Sequence, residues 1–221
     1  AQHTARRLSG VIAVSEQNFE YAVSSLGLEN DKILLLPNAA NTMLFAPRDR
    51  LAMRRKLGLP KERRLISFVG PFIDRKGPLR LMLAASQIPD IGVVLLGDGP
   101  QMPTGPQVLY AGPVSHDKVA DWICSTDLFV MPTMAEGSPN SVLEAMACGL
   151  PIVGSDIPEM RSVIGSDAGI LVPPTDVGAL VCAIKKVLDD PNLRSSMSQA
   201  ALKRTELFNL DKRLEHISSW L

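Results

Sequence analysis

Apolar residues arrive along this chain in eight short runs, at 11–14, 33–36, 65–69, 93–96, 108–110, 128–131, 152–153 and 170–172. Each has the length of a β-strand, and most stop at Gly, Pro, Ser or Asn, as strands that feed loops do. Apolar continuity without clean alternation suits strands covered on both faces, and therefore parallel ones. Between the runs, 16–26, 78–88, 117–124, 139–148, 176–188 and 192–207 carry helical patterning, with a further helix near 50–57. This alternation predicts an α/β fold, an open doubly wound parallel sheet of Rossmann-like form. Ligands of such sheets collect at the carboxyl ends of the strands.

Residues 1–45 read as a βαβ unit of their own, 46–64 as a connector, and 65–221 as the main sheet domain. In the connector, Arg48, Arg50, Arg54, Arg55, Lys56, Lys61, Arg63 and Arg64 stand against only Asp49 and Glu62. Such a charge run reads as a solvated helix; a basic face toward an anionic membrane or partner is the alternative. Over the whole chain Lys+Arg and Asp+Glu balance at 23 each, so the basic excess of a nucleic-acid binder is missing. No run approaches the roughly 18 apolar residues of a membrane span, and residues 1–7 lack the apolar stretch of a signal peptide. The chain reads as cytoplasmic, with peripheral contact to the inner face of the membrane as the variant in which the basic segment is used. Cys124, Cys148 and Cys182, like His3, His116 and His216, are scattered without metal-ligand spacing. They read as structural or surface residues, and no metal site is expected.

Chemistry concentrates at three strand ends. The segment 136–144, Glu-Gly-Ser-Pro-Asn-Ser-Val-Leu-Glu, follows the run 128–131 and passes into a helix. Ser138 suits an N-cap and Pro139 a first helical position, and the free N–H groups of that turn make an anion site. Glu144 lies among Val142, Leu143, Ala145, Met146 and Ala147, where an ionised carboxylate is costly without a partner. A hydroxyl-rich ligand would supply one, and Glu136 could face the same ligand from the loop; a core partner or solvent would also serve. After the run 65–69, Gly70 ends a strand, and Arg75 and Lys76 sit just ahead of the helix that Pro78 opens. That is the wrong end of a helix for cations; a bound diphosphate would reverse the sign. The third end, Leu96-Gly97-Asp98-Gly99-Pro100, lacks the third glycine of the dinucleotide fingerprint, which is Met102 here. Gly97 and Gly99 read as a tight turn beside a ligand cleft. Neither a P-loop nor a Gly-x-Ser-x-Gly elbow occurs.

In this order the segments resemble the retaining glycosyltransferases of the GT-B fold, family 4 type, in their C-terminal, donor-binding domain. The motifs are Glu136 and Glu144 with seven residues between them, Pro37-Asn38, Phe68-Val69-Gly70 with Lys76-Gly77, Leu96-Gly97-Asp98-Gly99-Pro100 and Ala168-Gly169-Ile170-Leu171-Val172. The resemblance runs from about Val11 to the C-terminal helix. It implies transfer of a sugar from a nucleotide diphosphate with retention, without a metal or other cofactor. It implies that Glu136 contacts hydroxyls of the donor sugar and that Glu144 holds the ribose. Gly137, Ser138, Asn140 and Ser141 would line the sugar and phosphates, Lys76 would neutralise the leaving diphosphate, and Gly70 would border it. The base would lie near Gly97 and Val114. Residues 1–45 would be the closing piece of an acceptor-side domain, otherwise missing, that binds an acceptor sugar or glycolipid. The chain departs from the pattern at Pro71, where many members have Arg, so that Arg75 would have to replace that contact. It departs again at Asn38-Ala39 and at Ile157-Pro158. Two other readings are a separate nucleotide-sugar-binding subunit paired with an acceptor-binding chain, and a nucleotide-sugar epimerase. The epimerase would need acid/base residues in the cleft, and His116 reads instead as the start of a surface helix.

Overall fold

The computed structural model describes residues 8–221; His3 and the stretch weighed above as a leader lie outside them. A small parallel pair comes first, β1 (Val11–Ala13) and β2 (Ile33–Leu35), joined through helix α1 (Glu16–Ser24). Ser15 caps α1 by accepting from the Asn18 N–H at 3.2 Å. Helix α2 (Arg50–Leu57) follows, opened by Asp49, which accepts from Ala52 N–H, and closed by Gly58 in the left-handed region at φ 68°. The main sheet then builds from β3 (Arg64–Val69), β4 (Ile91–Leu96), β5 (Val108–Gly112), β6 (Leu128–Met131), β7 (Ile152–Ser155) and β8 (Gly169–Val172). Helices α3 (Pro78–Ala85), α4 (His116–Cys124), α5 (Asn140–Ala147), α6 (Pro158–Ile164) and α7 (Val177–Asp189) alternate with these strands, and α8 (Pro191–Thr205) and α9 (Leu210–Trp220) complete the chain.

The six strands are all parallel, in the order β5-β4-β3-β6-β7-β8. The chain winds outward from β3 to β5, crosses back through α4, and winds the other way from β6. That reversal leaves a crevice between the carboxyl ends of β3 and β6, the place where ligands bind in doubly wound sheets. Strands β4 and β6 are buried at every position, which is why they read as unbroken apolar runs. Phe68, Phe72 and Phe129 are fully buried among them, each contributing roughly 1.5–3 kcal/mol of apolar burial.

All eight predicted strands form. Two helices were not predicted from the pattern. Helix α6 has only seven residues, too short a window for its buried Met160, Val163 and Ile164 to declare a helical period, and α9 buries none of its own. Instead α9 turns back onto the β1–β2 unit. Ala40 pairs with Asn209, Arg213 donates to the carbonyls of Leu36 (2.8 Å) and Pro37, and Gly10 leaves no room for a Cβ against Trp220.

The helix of the basic connector is largely solvated, as expected, but its cations do not make a free basic face, because Arg54 is buried and Arg48, Arg50 and Lys56 are paired. Arg54 is 3% exposed and donates to the carbonyls of Ser125, Lys61 and Arg63 and to Asp127 Oδ2, at 2.6–3.0 Å. Arg50 pairs with the same Asp127, and Arg48 and Lys56 both pair with Asp121. Burial pushes the Asp121 carboxyl up, but Lys56 and then Arg48 more than reverse that and hold it below the ordinary range. Both aspartates come from the α4–β6 region, too far along the chain for the local charge pattern to reveal. Among the described residues no helix is long and apolar enough to cross a membrane.

Candidate functional site

Two loops meet at the crevice: 70–77 after β3 and 132–139 after β6. The first turns through a 3-10 segment, Asp74–Lys76, and ends at Gly77 with φ 78°, where a Cβ would strike the Pro132 carbonyl. Only glycine fits this left-handed, closely packed position. The second loop is stitched to the first through Arg75. Its carbonyl accepts from Met134 N–H (2.7 Å) and Thr133 Oγ1 (3.2 Å), and its guanidinium donates to the Ala135 carbonyl at 2.7 Å. Arg80 braces the same junction at Pro132 O, 3.1 Å away.

This stitching brings Lys76 and Glu136 together across 60 residues of sequence: Lys76 Nζ lies 2.6 Å from both Oε1 and Oε2. The pair is largely withdrawn from solvent, with side chains 14% and 5% exposed. The cation that seemed misplaced before a helix is therefore balanced by a carboxylate of the chain itself, and does not need a bound anion for that. Next to Glu136, the N–H groups of Gly137, Ser138 and Ser141 meet no acceptor among the described residues.

Helix α5 begins one residue later than predicted. Pro139, at φ −80° and ψ 78°, is its N-cap, and Asn140 its first residue. The Ser138 hydroxyl does not cap it; it accepts from Asn38 N–H at 3.3 Å, while Asn38 Nδ2 donates to Asn140 Oδ1 at 2.8 Å. The Pro37-Asn38 motif thus anchors the β2 end to this loop. Asn18 of α1 approaches Gly137 from the same side.

Glu144 lies further along α5, with its side chain 17% exposed. Burial raises its carboxyl above the ordinary range, against the opposing effect of His116, whose Nε2 lies 3.4 Å from Oε1. His116 does start a surface helix, as the sequence reads, with its side chain 68% exposed, and it also reaches Glu144. It opens α4, its ring packs edge-on to Phe45 at 5.3 Å, and the fold brings it to Glu144 across 28 positions. The sequence signal lay in its place directly after the β5 loop. Val114 stands two residues earlier, in a loop held by Tyr110 Oη donating to Pro113 O. Gly97 and Gly99 pack against the backbone of residues 70–72, with Phe72 N–H donating to Asp98 O at 2.6 Å. Their smallness serves that approach, which sets Gly70 and Gly97 side by side.

A raised carboxyl pKa contributes stability that is fully present below the unfolded value near 4.5 and is lost as pH rises through the folded value. At neutral pH the ionised Glu144 is therefore a cost to the fold. We expect Glu144→Gln to melt at a higher temperature than the parent at pH 7. The gap should close as pH falls below about 4.5, as read by thermal denaturation across that range.

Beside Ala135 opens a cavity of about 690 Å³, bounded by Val14 and Leu35 on the β1–β2 unit and by Ile157 on the β7 side, with Glu16, Glu20 and Glu159 at its walls. Among the described residues no three of His, Cys, Asp and Glu converge as a metal site would require.

The model of the family described as glycosyl transferases group 1 matches residues 49–204, most of the chain and the whole crevice. The chain belongs to that family. TuaC of Bacillus subtilis (strain 168), named for a glycosyltransferase role in teichuronic acid biosynthesis, is 32% identical over 183 residues, covering 80% of this chain and 46% of its own length. The sucrose-phosphate synthase of Thermosynechococcus elongatus superposes with a TM-score of 0.87 at 26% identity, over 99% of this chain and 59% of that one. HepE of Anabaena, solved in complex with UDP and glucose, shares the fold with a TM-score of 0.84 at 19% identity, over 99% of this chain and 66% of that one. The chain spans about half the length of the curated relatives it matches.

Proposed function

We propose that this member of the glycosyltransferase group binds a nucleotide-diphosphate sugar in the β3–β6 crevice and transfers the sugar with retention, without a metal. The observation that carries the reading is the Lys76–Glu136 pair, set beside unpaired amides and followed, on the helix α5 that this loop enters, by the desolvated Glu144. Lys76 and the N–H groups of Gly137, Ser138 and Ser141 meet the diphosphate. As the bond from sugar to phosphate breaks, negative charge grows on the leaving group, and these fixed positive ends stabilise it without moving a proton. Glu136, released from part of its lysine contact, accepts from hydroxyls of the sugar. Glu144 accepts from the ribose hydroxyls, which offsets its burial cost. The base lies toward Gly97 and Val114. Arg75, engaged on Ala135 O, holds the loop rather than the phosphate that Arg contacts in members lacking Pro71. Residues 1–45 form the edge of the acceptor side, and the 690 Å³ cavity opens toward an acceptor sugar or glycolipid. The complex of HepE with UDP and glucose supports a donor of this chemical class.

Titration calorimetry with UDP, GDP and ADP tests the reading. One nucleotide is expected to bind, indifferent to EDTA. Glu144→Ala should weaken it by about 10- to 100-fold, the worth of a hydrogen bond to a charged group. Undiminished binding in that variant would remove Glu144 from the ribose.

A further inference from the structure

The 690 Å³ cavity beside Ala135 has the opposite electrostatic character to the crevice. Val14, Leu35 and Ile157 give it apolar walls, and its charged groups are all carboxylates: Glu16, Glu20 and Glu159. Among the described residues no Lys, Arg or His lines it. The arginines nearest its walls in sequence are engaged elsewhere. Arg75 donates to Ala135 O at 2.7 Å, Arg161 to Asp156 Oδ2 at 2.8 Å and Arg213 to Leu36 O at 2.8 Å. None of the three glutamate side chains has an ion-pair or hydrogen-bond partner among the described residues.

We propose that this cavity, resting on its reading above as the acceptor side, selects an acceptor whose sugar carries a protonated amine and disfavours one bearing a phosphate. The amino end of α1 opens on the cavity through Ser15, Glu16 and Gln17. Such an end ordinarily favours anions. Here Glu16 stands in the first turn, and the Ser15 side chain already accepts from Asn18 N–H at 3.2 Å. The positive helix end is thus met by a carboxylate of the chain itself. Glu20 lies one turn further along the same face of α1, a like-charge pair that is unfavourable without a cation. Glu159 faces them from the opposite wall, on α6. An ammonium group entering between these walls gains from all three carboxylates, whereas a phosphate is repelled by them. The apolar walls take the face of the sugar ring. The two substrates are then sorted by sign: the diphosphate toward Lys76 and the crevice amides, the amine toward the glutamates on the far side of Ala135.

The test is saturation-transfer NMR on the chain with glucosamine, N-acetylglucosamine and glucose 6-phosphate as probes. It is run at about pH 6, where side-chain carboxylates are ionised and a sugar amine is protonated. Glucosamine should bind about 3- to 10-fold more tightly than N-acetylglucosamine, the worth of one or two solvent-accessible charge pairs. Glu16→Lys combined with Glu159→Lys should abolish that preference and strengthen glucose 6-phosphate relative to the parent. Equal or reversed affinities of the two amino sugars in the parent overturn the proposal, whether or not the variant folds; so does a preference that persists in a folded variant. Nucleotide calorimetry on the same samples keeps the two readings apart. Nucleotide binding without an amine preference overturns this proposal alone, and an amine preference without nucleotide binding supports it while removing the donor reading.

Discussion

Replacing Lys76 by alanine is expected to lower sugar transfer by about 10²- to 10³-fold, the usual cost of losing one preorganised group that stabilises charge in the transition state. Under the proposed role the loss should fall on kcat more than on KM, because a lysine at the leaving group would meet more charge on a departing diphosphate than on a bound donor. The same change strands Glu136, whose side chain is 5% exposed. An uncompensated buried carboxylate costs about 3 kcal/mol or more, which for a chain of this size lowers Tm by about 10 °C. The two effects separate in a double-mutant cycle. Lys76→Met combined with Glu136→Leu should recover most of the stability and none of the transfer, since removing both charges removes the desolvation penalty. Thermal melts of the two single variants and the double variant, alongside steady-state kinetics on the folded proteins, read both outcomes.

Arg54→Ala is expected to be the most destabilising single substitution described here, by about 3–5 kcal/mol. Arg54 satisfies three carbonyls and Asp127 from within the protein. Asp127 in turn accepts from the Leu65 N–H at 2.8 Å, at the start of β3. Truncation leaves a buried carboxylate with only the half-exposed Arg50 as counter-ion, and leaves three carbonyls without their donor. The cluster lies at the amino ends of β3 and β6, so nucleotide affinity at 25 °C should be unchanged while the urea midpoint falls. A variant that folds normally but loses nucleotide binding would mean that this network sets the crevice rather than the stability of the sheet.

What the sequence made legible follows what is local in the physics. Strands β3, β4 and β6 are buried on both faces, so their composition alone declares them. Glu144 is conspicuous because its neighbours in sequence are also its neighbours on a buried helix. The Lys76–Glu136 pair is different: each residue looked functional on its own, but their contact depends on β3 and β6 being adjacent, which the order of strands decides. The pairing of the basic segment stayed hidden for the same reason, because the counter-ions of Arg54, Arg48 and Lys56 arrive more than 60 residues later. The contact of His116 with Glu144 also arises only where α4 packs on α5. Helix α9 has no buried face of its own, and its attachment rests on backbone contacts to residues 36–40 that leave no periodic trace.

The most direct test is a crystal structure of the chain with the nucleotide that calorimetry selects. The diphosphate is expected against Lys76 and the amides of Gly137, Ser138 and Ser141, with the ribose hydroxyls on Glu144 and the base between Gly97 and Val114. A well-ordered nucleotide bound away from the β3–β6 crevice, with the Lys76–Glu136 pair undisturbed, would contradict that placement.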